Sequence, residues 1–414
     1  MTSKLSISQK FFSILLPFCG GYFLSYLFRS TNAVIAPNLI VDIGINAKEL
    51  GMLTSAYLFT FAFFQIPLGI LLDKFGPRLV QIFLMIIAGF GALLFSQSES
   101  LIILTIARGI IGLGVAGCLM STFKIITLWY DKNHWPILYG LCLSSGGLGA
   151  IVATKPLDLT VDLIGWRGSF LILAGACIFV SLMIWLITPE KQIPKTEHNS
   201  IDVLKKIYTS KLFWKIAPLA GISGGTGLAI QGLWAGEWLR DVAELSQADT
   251  TNMLLILNLS LLIGMIFTGF IPNLVKKFGF TQLDVYFVIT LILLCGHALL
   301  TFEISPKSFL PWILIGVSAN SGILAYSWLN SQFPIDYAGR VSTAINLSLF
   351  LCGFFLQYTI GWIISLWDRS TDSSYPSEAY YFAFVILLGL QIICIGIFLF
   401  LKTEDTRDNL KNNY

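Results

Sequence analysis

The chain has 414 residues, of which 56% are hydrophobic and only 12% are charged. A soluble domain usually carries about twice that charged fraction, and a soluble chain of this length has too little interior to hide so many apolar side chains. The composition therefore excludes an ordinary soluble protein and predicts that a bilayer surrounds most of the chain. The net charge of +3 is too small to indicate nucleic-acid binding.

Twelve apolar runs follow one another along the chain, and each is long enough to cross a bilayer, which takes about 20 helical residues. They are called spans one to twelve and centre on residues 11–38, 50–72, 79–97, 101–127, 137–157, 167–188, 213–238, 252–272, 283–302, 309–330, 341–366 and 380–401. The predicted fold class is an all-α membrane protein with twelve transmembrane helices in two pseudo-symmetric six-helix bundles.

The longest polar stretch lies between spans six and seven and divides the chain. The predicted domains are an N-terminal half (1–188), a cytoplasmic linker (189–212), a C-terminal half (213–401) and a tail (402–414). In the linker, the apolar residues 201, 204, 207 and 208 share one helical face with lysines opposite. This pattern predicts a short helix lying on the inner leaflet; a flexible tether is the alternative.

The two halves also resemble each other. Lys74-Phe75-Gly76 follows span two, and Lys277-Phe278-Gly279 follows span eight. Together with six spans on each side of a central linker, the repeated tripeptide supports a duplicated architecture.

The distribution of lysine and arginine predicts the orientation. If the N-terminus is cytoplasmic, 17 of these 26 residues fall in inner segments and five in outer segments, while four lie within spans. This bias follows the positive-inside rule and places both termini in the cytoplasm. Pro17 and the polar residues 29–32 indicate an uncleaved first span rather than a signal peptide. We expect a multi-pass protein of a bacterial inner membrane.

No motif for chemistry is found in the sequence. The seven cysteines lie inside apolar runs without a C-x-x-C pair, and the three histidines are scattered, so neither a disulfide nor a metal site is predicted. A phosphate-cradling G-x-x-x-x-G-K-[ST] motif is absent, which argues against an ATP-driven pump. We predict no cofactor and no enzymatic activity.

The loop after span two carries the most specific motif. Its residues, Gly69-Ile70-Leu71-Leu72-Asp73-Lys74-Phe75-Gly76-Pro77-Arg78, resemble the G-x-x-x-D-[RK]-x-G-[RP]-[RK] signature of the major facilitator superfamily. Length, span count, central linker and cytoplasmic termini extend the resemblance to the whole chain. The resemblance implies a secondary transporter that works by alternating access.

The residue types of this loop suggest a gate. Gly69 would allow close approach of a neighbouring helix, and Gly76 a tight turn. Asp73 would accept hydrogen bonds from the N-terminus of span eleven, at residues 339–343, and so latch the halves while the cavity is open to the outside. Lys74 and Arg78 would add charge pairs. The alternative is a basic turn without a gating role.

Spans four and five contain further patterns. Residues 108–116 of span four resemble the family's R-x-x-x-G-x-G-x-A pattern, and its small residues, Gly112 among them, would let helices pack closely. The resemblance assigns Arg108 either to proton coupling or to structural pairing with span five. Residues 145–150 resemble the family's glycine-rich fifth span but lack the G-P-x-x-G-G core of drug/proton antiporters. That departure argues against a multidrug exporter. Lys155 follows this stretch.

Embedded charges predict the sign of the cavity. The predicted spans contain four cations (Arg29, Arg108, Lys124 and Lys155) but only one candidate embedded acid, Glu237. Such residues line cavities or find partners, and a positive cavity favours an organic anion or an amino acid. Arg29 suits bidentate binding of a carboxylate or phosphate, with internal pairing or snorkelling as its alternative. For Lys124 and Lys155 the alternative to a functional role is snorkelling towards the membrane edges. Glu237 is either a proton carrier or part of the outer rim.

The family resemblance implies that spans one, four, seven and ten line the central cavity, and span eleven supplies further polar side chains. The candidate substrate-binding residues are Arg29, Asn32, Lys124, Gln231, Trp234, Tyr326, Asn330, Asn346 and Gln357, with Asn320 also in span ten.

The sequence thus predicts a monomeric, proton-coupled importer of a small organic anion or amino acid. Its partners would be the small-molecule substrate, the lipid bilayer and protons, without nucleic acid. An exporter or antiporter of the same fold and a transporter-like solute sensor are the alternatives.

Overall fold

The computed structural model describes residues 6–131, 134–191, 200–334, 337–370 and 374–401. Within these ranges every regular element is a helix. Ten helices of this described part of the chain are long and apolar enough to cross a membrane. One of them, Ala47–Gln97, has 51 residues, which at 1.5 Å per residue is roughly twice the bilayer core and therefore makes two spans. The shorter Ile137–Val152 completes twelve, and the predicted fold class is confirmed.

The N-terminal half contains several spans that are built from more than one helical segment. In order, spans one to six comprise Ile7–Lys10, Phe11–Leu15, Leu16–Ser30 and Asn32–Ile43 (one); Ala47–Gln97, broken at Gly76 (two and three); Leu101–Val115 and Cys118–Trp129 (four); and Trp135–Val152 with Lys155–Ile187, the latter broken at Gly165 (five and six).

The C-terminal half repeats this plan after the linker helix. Spans seven to twelve comprise Lys211–Ala229, Ile230–Trp234 and Ala235–Asp241 (seven); Gln247–Val275 (eight); Gln282–Thr301 (nine); Leu310–Ser318 and Gly322–Gln332 (ten); Ala338–Ile364 (eleven); and Ser377–Phe400 (twelve).

Two tight turns share one backbone conformation. Gly76, between spans two and three, has φ 78° and ψ 162°, and Gly165, between spans five and six, has φ 73° and ψ 168°. This region is open to glycine alone, so the predicted tight turn at Gly76 is confirmed. An arginine follows each glycine by two residues, at Arg78 and Arg167. The two turns lie at opposite ends of the bundle, as expected for inverted three-span repeats inside one half.

The two glycines predicted to let helices approach behave differently. A Cβ atom added to Gly112 of span four would lie 2.3 Å from the carbonyl oxygen of Tyr57 in span two, so close helix packing at this site is confirmed. A Cβ atom added to Gly69 would meet nothing within 4 Å. The predicted close approach at Gly69 is therefore wrong for this arrangement of the helices.

The two halves meet along three pairs of spans: one with seven, two with eleven, and five with eight. Apolar side chains on the outside of the bundle, such as Phe83, Phe179 and Ile393, are exposed. An exposed apolar belt around helices whose backbone groups are satisfied internally is what a bilayer requires.

The linker forms the predicted short helix, Ser200–Tyr208. Its apolar face, however, packs against spans seven and eleven, with Val203 3% and Ile207 0% exposed. Val203 and Ile207 are therefore covered by the C-terminal bundle rather than by lipid, while the position of the helix at the inner leaflet stays a prediction. Residues 192–199 of the predicted linker and the predicted tail 402–414 lie outside the described residues.

The Gly76 turn gives a direct test of stability. Replacing Gly76 with alanine forces a side chain into a glycine-only conformation and should cost about 1–3 kcal/mol. Gly69→Ala, seven residues earlier in the same motif, is the matched control, because it adds the same methyl group in open space. Thermal unfolding in detergent should show a lower melting temperature for Gly76→Ala only. Equal melting temperatures for both variants would contradict the assigned strain.

Candidate substrate site between the two halves

Arg29 is the last residue but one of the helix Leu16–Ser30 in span one, which Thr31 joins to Asn32–Ile43. It is 7% exposed. Its guanidinium carbon lies 4.3 Å from the ring centre of Tyr26, 5.0 Å from that of Phe350 and 5.6 Å from that of Phe61. Each such contact contributes about 0.5–2 kcal/mol, less than the several kcal/mol that burying an ion costs.

No carboxylate neutralises Arg29 in the part of the chain that the structure describes, since none of the ion pairs found there includes it. Its Nε atom is buried and has no hydrogen-bond partner among the described residues. Phe61 and Phe350 stack on each other across the two halves with ring centres 3.9 Å apart. The unneutralised charge is therefore held where the halves meet, which is the place that alternating access would expose to each side in turn.

The rings of Tyr26, Phe61 and Phe350 around Arg29 are called the aromatic cage. Polar side chains of spans ten and eleven lie next to it. The Tyr26 hydroxyl donates to Asn320 Oδ1 at 3.5 Å, and the Tyr326 hydroxyl donates to Asn346 Oδ1 at 2.8 Å. The Asn320 amide nitrogen is buried without a partner. These groups can serve the hydroxyl or amino groups of a bound solute. Asn330, one turn beyond Tyr326 towards the inner end, donates to Ser342 Oγ at 2.8 Å.

Four of the predicted substrate residues lie in a closed layer on the outer side of Arg29. Gln231 donates to Asn258 Oδ1 at 2.6 Å, and Trp234 Nε1 donates to the Gln357 carbonyl at 3.2 Å. The side-chain oxygen Oδ1 of Asn32 is buried and has no hydrogen-bond partner among the described residues. The outer side is the one that the lysine and arginine distribution assigns to the exterior. In this state the layer separates Arg29 from that side.

Above this layer, spans five and eight are joined by polar contacts. The Asp158 carboxylate accepts hydrogen bonds from Gln247 Nε2 at 2.8 Å and from Thr251 Oγ1 at 3.3 Å. Lys155 Nζ donates to Asn252 Oδ1 at 3.5 Å. These contacts, together with those between spans one and seven, are called the outer closure.

Glu237 belongs to the span one–span seven part of the outer closure. It is 6% exposed, and its carboxylate accepts from Arg240 Nη2 at 2.5 Å. Arg240 also donates to the Ala33 carbonyl at 3.4 Å. A Cβ atom on Gly236 would lie 2.3 Å from the same carbonyl oxygen, so the helices touch there. Glu237 thus sits in the predicted outer rim, and its role as a proton carrier stays a prediction.

The predicted gate at the inner end has a different partner. The Asp73 carboxylate forms an ion pair with the Lys124 ammonium group of span four, in the same half. Lys124 is thus held at the inner edge instead of facing the cavity as a free cation. The latch between Asp73 and residues 339–343 was predicted for the state that is open to the outside, and it stays a prediction.

Lys74 and Arg78 do not form the predicted charge pairs with any described residue. Arg78 Nη2 donates to the Trp185 carbonyl of span six at 2.6 Å, and Lys74 Nζ lies 5.2 Å from the ring centre of Phe75. Arg78 therefore ties the turn after span two to the inner end of span six through the backbone.

Arg108 is fully enclosed, at 1% exposure. It donates from Nη2 to the Phe28 carbonyl at 3.2 Å and lies 5.4 Å from the ring centre of Tyr57 and 5.8 Å from that of Phe95. These partners belong to spans one to three. The hydrogen bonds and ring contacts of the described residues include none between Arg108 and span five, so the predicted pairing with that span is not found.

The sequence reasoning missed the aromatic cage and the Asp158 contacts. Tyr26 precedes Arg29 by three residues and therefore shares its helical face, which was a usable signal. Phe61 and Phe350 come from distant spans, and no spacing in the sequence connects them to Arg29. The contacts of Asp158 could not be predicted from sequence spacing either, because its partners lie about ninety residues away.

Comparison with known families gives one match across most of the chain. The profile described as Major Facilitator Superfamily matches residues 18–357.

Three curated relatives are similar over about 40% of the chain. A probable sulfoacetate transporter of Cupriavidus necator is 29% identical over 165 residues, 40% of this chain and 38% of the relative. A probable hexose phosphate transport protein of Chlamydia trachomatis is 24% identical over 40% of this chain and 36% of the relative. The hexuronate transporter of Escherichia coli is 27% identical over 40% of this chain and 38% of the relative. The chain thus matches less than half of the length of these relatives.

Solved structures share the fold over nearly the whole chain. A bacterial homologue of the human lysosomal transporter Spinster, in an inward-facing and unoccupied conformation, superposes with a TM-score of 0.74, at 16% identity, and covers 99% of both chains. A D-xylose–proton symporter superposes with a TM-score of 0.71, at 12% identity, and covers 96% of this chain and 98% of that one.

The outer closure predicts the effect of removing one charge. Asp158→Asn loses the charge-assisted hydrogen bonds to span eight and should weaken the closure by about 1.5–3 kcal/mol. Spin labels at the exposed positions Leu163 and Ala248, in a cysteine-depleted chain, should then show a larger population at long distance. Asp162→Asn, on an exposed position of the same helix, is the control. An unchanged distance distribution for Asp158→Asn would contradict the assignment.

Proposed function

The chain belongs to the major facilitator superfamily, and on that premise we propose that it imports a small organic anion, or an amino acid held by its carboxylate, together with protons. The family and the fold are those of transporters rather than enzymes. The protein is a multi-pass membrane protein, and members of its family bind small-molecule substrates within the bilayer.

One observation carries the choice of an anion: Arg29 is buried between the halves with no carboxylate beside it among the described residues. A buried unpaired charge costs several kcal/mol. A carboxylate, sulfonate or phosphate that binds the guanidinium group removes this cost and forms two parallel hydrogen bonds. The site therefore gains most from an anionic solute.

The curated relatives support this choice. They are named for sulfoacetate, hexose phosphate and hexuronate, and each of these solutes carries a carboxylate, sulfonate or phosphate group. Hexuronate and hexose phosphate also carry several hydroxyl groups. The amide and hydroxyl groups of Asn320, Tyr326 and Asn346, next to the cage, suit such hydroxyls.

The proposed cycle uses two closures that alternate. Opening of the outer closure exposes Arg29 to the outside, where it takes up the anion. Once the outer closure has reformed, the anion leaves towards the inner side. On that side Asp73 exchanges its partner, from the N-terminus of span eleven to Lys124. Glu237 is our candidate for the coupling proton, because it is the one buried acidic side chain among the described residues and it lies in the closure that opens to the outside.

The anion site is tested by ligand-induced thermal stabilisation, since a solute that binds the native state raises its melting temperature. We expect sulfoacetate, glucuronate or glucose 6-phosphate to stabilise the protein and neutral glucose to leave it unchanged. Arg29→Ala should weaken the binding of the active anion at least about 100-fold, which corresponds to two charge-assisted hydrogen bonds, and should abolish its transport while the protein stays folded.

Two variants control for charge and shape. Arg167→Ala removes the same charge from the outer surface, where Arg167 pairs with Asp42 at 3.1 Å, and should leave binding intact. Arg29→Lys keeps the charge without the bidentate geometry and should bind with intermediate affinity. Wild-type anion uptake by Arg29→Ala would refute the proposed substrate class.

Coupling and direction are tested in membrane vesicles. Right-side-out vesicles with an acidic exterior should accumulate the anion, and collapse of the proton gradient should end the accumulation. Accumulation in inside-out vesicles that depends on an acidic interior would instead identify an exporter that exchanges its solute for protons. Absence of movement for an anion that binds tightly would favour a solute sensor.

A further inference from the structure

A cleft of about 540 Å³ opens at the inner edge of the N-terminal half, away from the proposed substrate site. It is lined by the turn 74–79 after span two, by Ile125, Leu128 and Trp129 at the inner end of span four, and by residues 189–191 after span six. Because these three segments come from separate spans, the fold itself assembles the cleft.

The cleft carries an excess of positive charge. Lys74, Arg78 and Lys191 line it, with Glu190 as the acidic residue in its lining. The ion pairs of the described residues include none of these three cations. Arg78 and Lys191 each donate once to a backbone carbonyl, of Trp185 and Leu128 respectively, and keep further donors.

Two donors in this lining are buried and unpaired. Neither Arg78 Nε nor the indole nitrogen Trp129 Nε1 has a hydrogen-bond partner in the structure. A buried donor without a partner costs about 1–3 kcal/mol. A tetrahedral anion in the cleft offers several acceptor oxygens to these two donors and to the remaining N–H groups of Lys74 and Lys191, whereas a single carboxylate offers fewer acceptors.

The surroundings of the cleft fit a lipid. An adjoining cavity of about 320 Å³ is lined by Gln9, Phe12, Ser13, Ile187 and Pro189, and it shares Pro189 with the cleft. Phe12, Trp185 and Ile187 are exposed apolar side chains beside it. The two cavities together offer a basic end at the membrane edge and an apolar end along the bilayer, which matches a headgroup and the start of an acyl chain.

We propose that this cleft binds the phosphate group of an anionic phospholipid of the inner leaflet. The phosphate bridges the turn after span two, which directly follows Asp73, to the inner end of span six. The bound lipid thus stabilises the arrangement in which Asp73 pairs with Lys124 of span four. The site is separate from the Arg29 cage, so it stands whether or not the proposed substrate class is right.

Native mass spectrometry of the purified full chain with phosphatidylglycerol tests the site. One lipid should be retained under activation that strips the others. Arg78→Gln and Lys191→Gln should each weaken this retention at least about tenfold, and Trp129→Phe, which removes one N–H group without changing charge, about fivefold. Melting temperatures identify any variant whose loss of lipid follows from unfolding.

Lys277→Gln is the matched control. Lys277 lies in the equivalent turn of the C-terminal half and, like Lys74, sits 5.2 Å from the ring centre of the following phenylalanine, but it is outside the lining of the cleft. Its loss should not affect the retained lipid. Equal loss in Lys277→Gln, or unchanged retention in folded Lys191→Gln and Trp129→Phe, would overturn the proposal in favour of diffuse attraction to basic loops.

The source of the phosphate is distinguished by thermal stabilisation. Phosphatidylglycerol should raise the melting temperature of the wild type but not of Lys191→Gln, while inorganic phosphate and neutral phosphatidylethanolamine should do so far less. An equal shift with inorganic phosphate would overturn the lipid and assign the cleft to a soluble phosphate. No shift with either would overturn the site.

Discussion

The buried guanidinium group of Arg29 is the constraint on which the rest of the candidate site depends. A charge in the middle of a bilayer needs partners or water, and the described chain gives this one aromatic ring faces rather than a carboxylate. Ring faces hold the cation in place but leave its Nε donor without a hydrogen-bond partner among the described residues. The protein thus keeps an energetic deficit at the point where the two halves meet, and a bound anion is the natural way to remove it.

The two ends of the molecule are built with different chemistry. The outer closure joins the halves through many modest contacts, in which Asp158, Arg240 and backbone carbonyls take part. The inner end instead places its ion pair, Asp73 with Lys124, inside one half. Contacts across the halves hold a closed side shut, whereas a contact within one half leaves the inner ends of the halves free to separate. This asymmetry agrees with a structure that is sealed on the outer side.

Arg78 connects these features to the membrane edge. It donates a hydrogen bond to the backbone of span six, and it lines the basic cleft in the turn that directly follows Asp73. The same short motif therefore takes part in the strained glycine turn, in the inner ion pair and in the proposed lipid site. Because the three features share adjacent residues, a structural change in one of them can alter the position of the other two.

The sequence by itself determined the twelve spans, the two halves, the strained turn at Gly76 and the embedded position of Arg29, because each depends on local composition or on a motif of a few residues. It also assigned Lys124 to the cavity and the apolar face of the linker helix to the lipid, whereas the tertiary structure pairs Lys124 with Asp73 and packs that face against spans seven and eleven. The ammonium group of Lys124 pairs with a nearby carboxylate, and the apolar face of the linker helix packs against a nearby apolar surface. In both cases the partner belongs to a helix that is distant in the sequence. The aromatic cage, the outer closure and the basic cleft have the same origin, since packing alone brings their residues together.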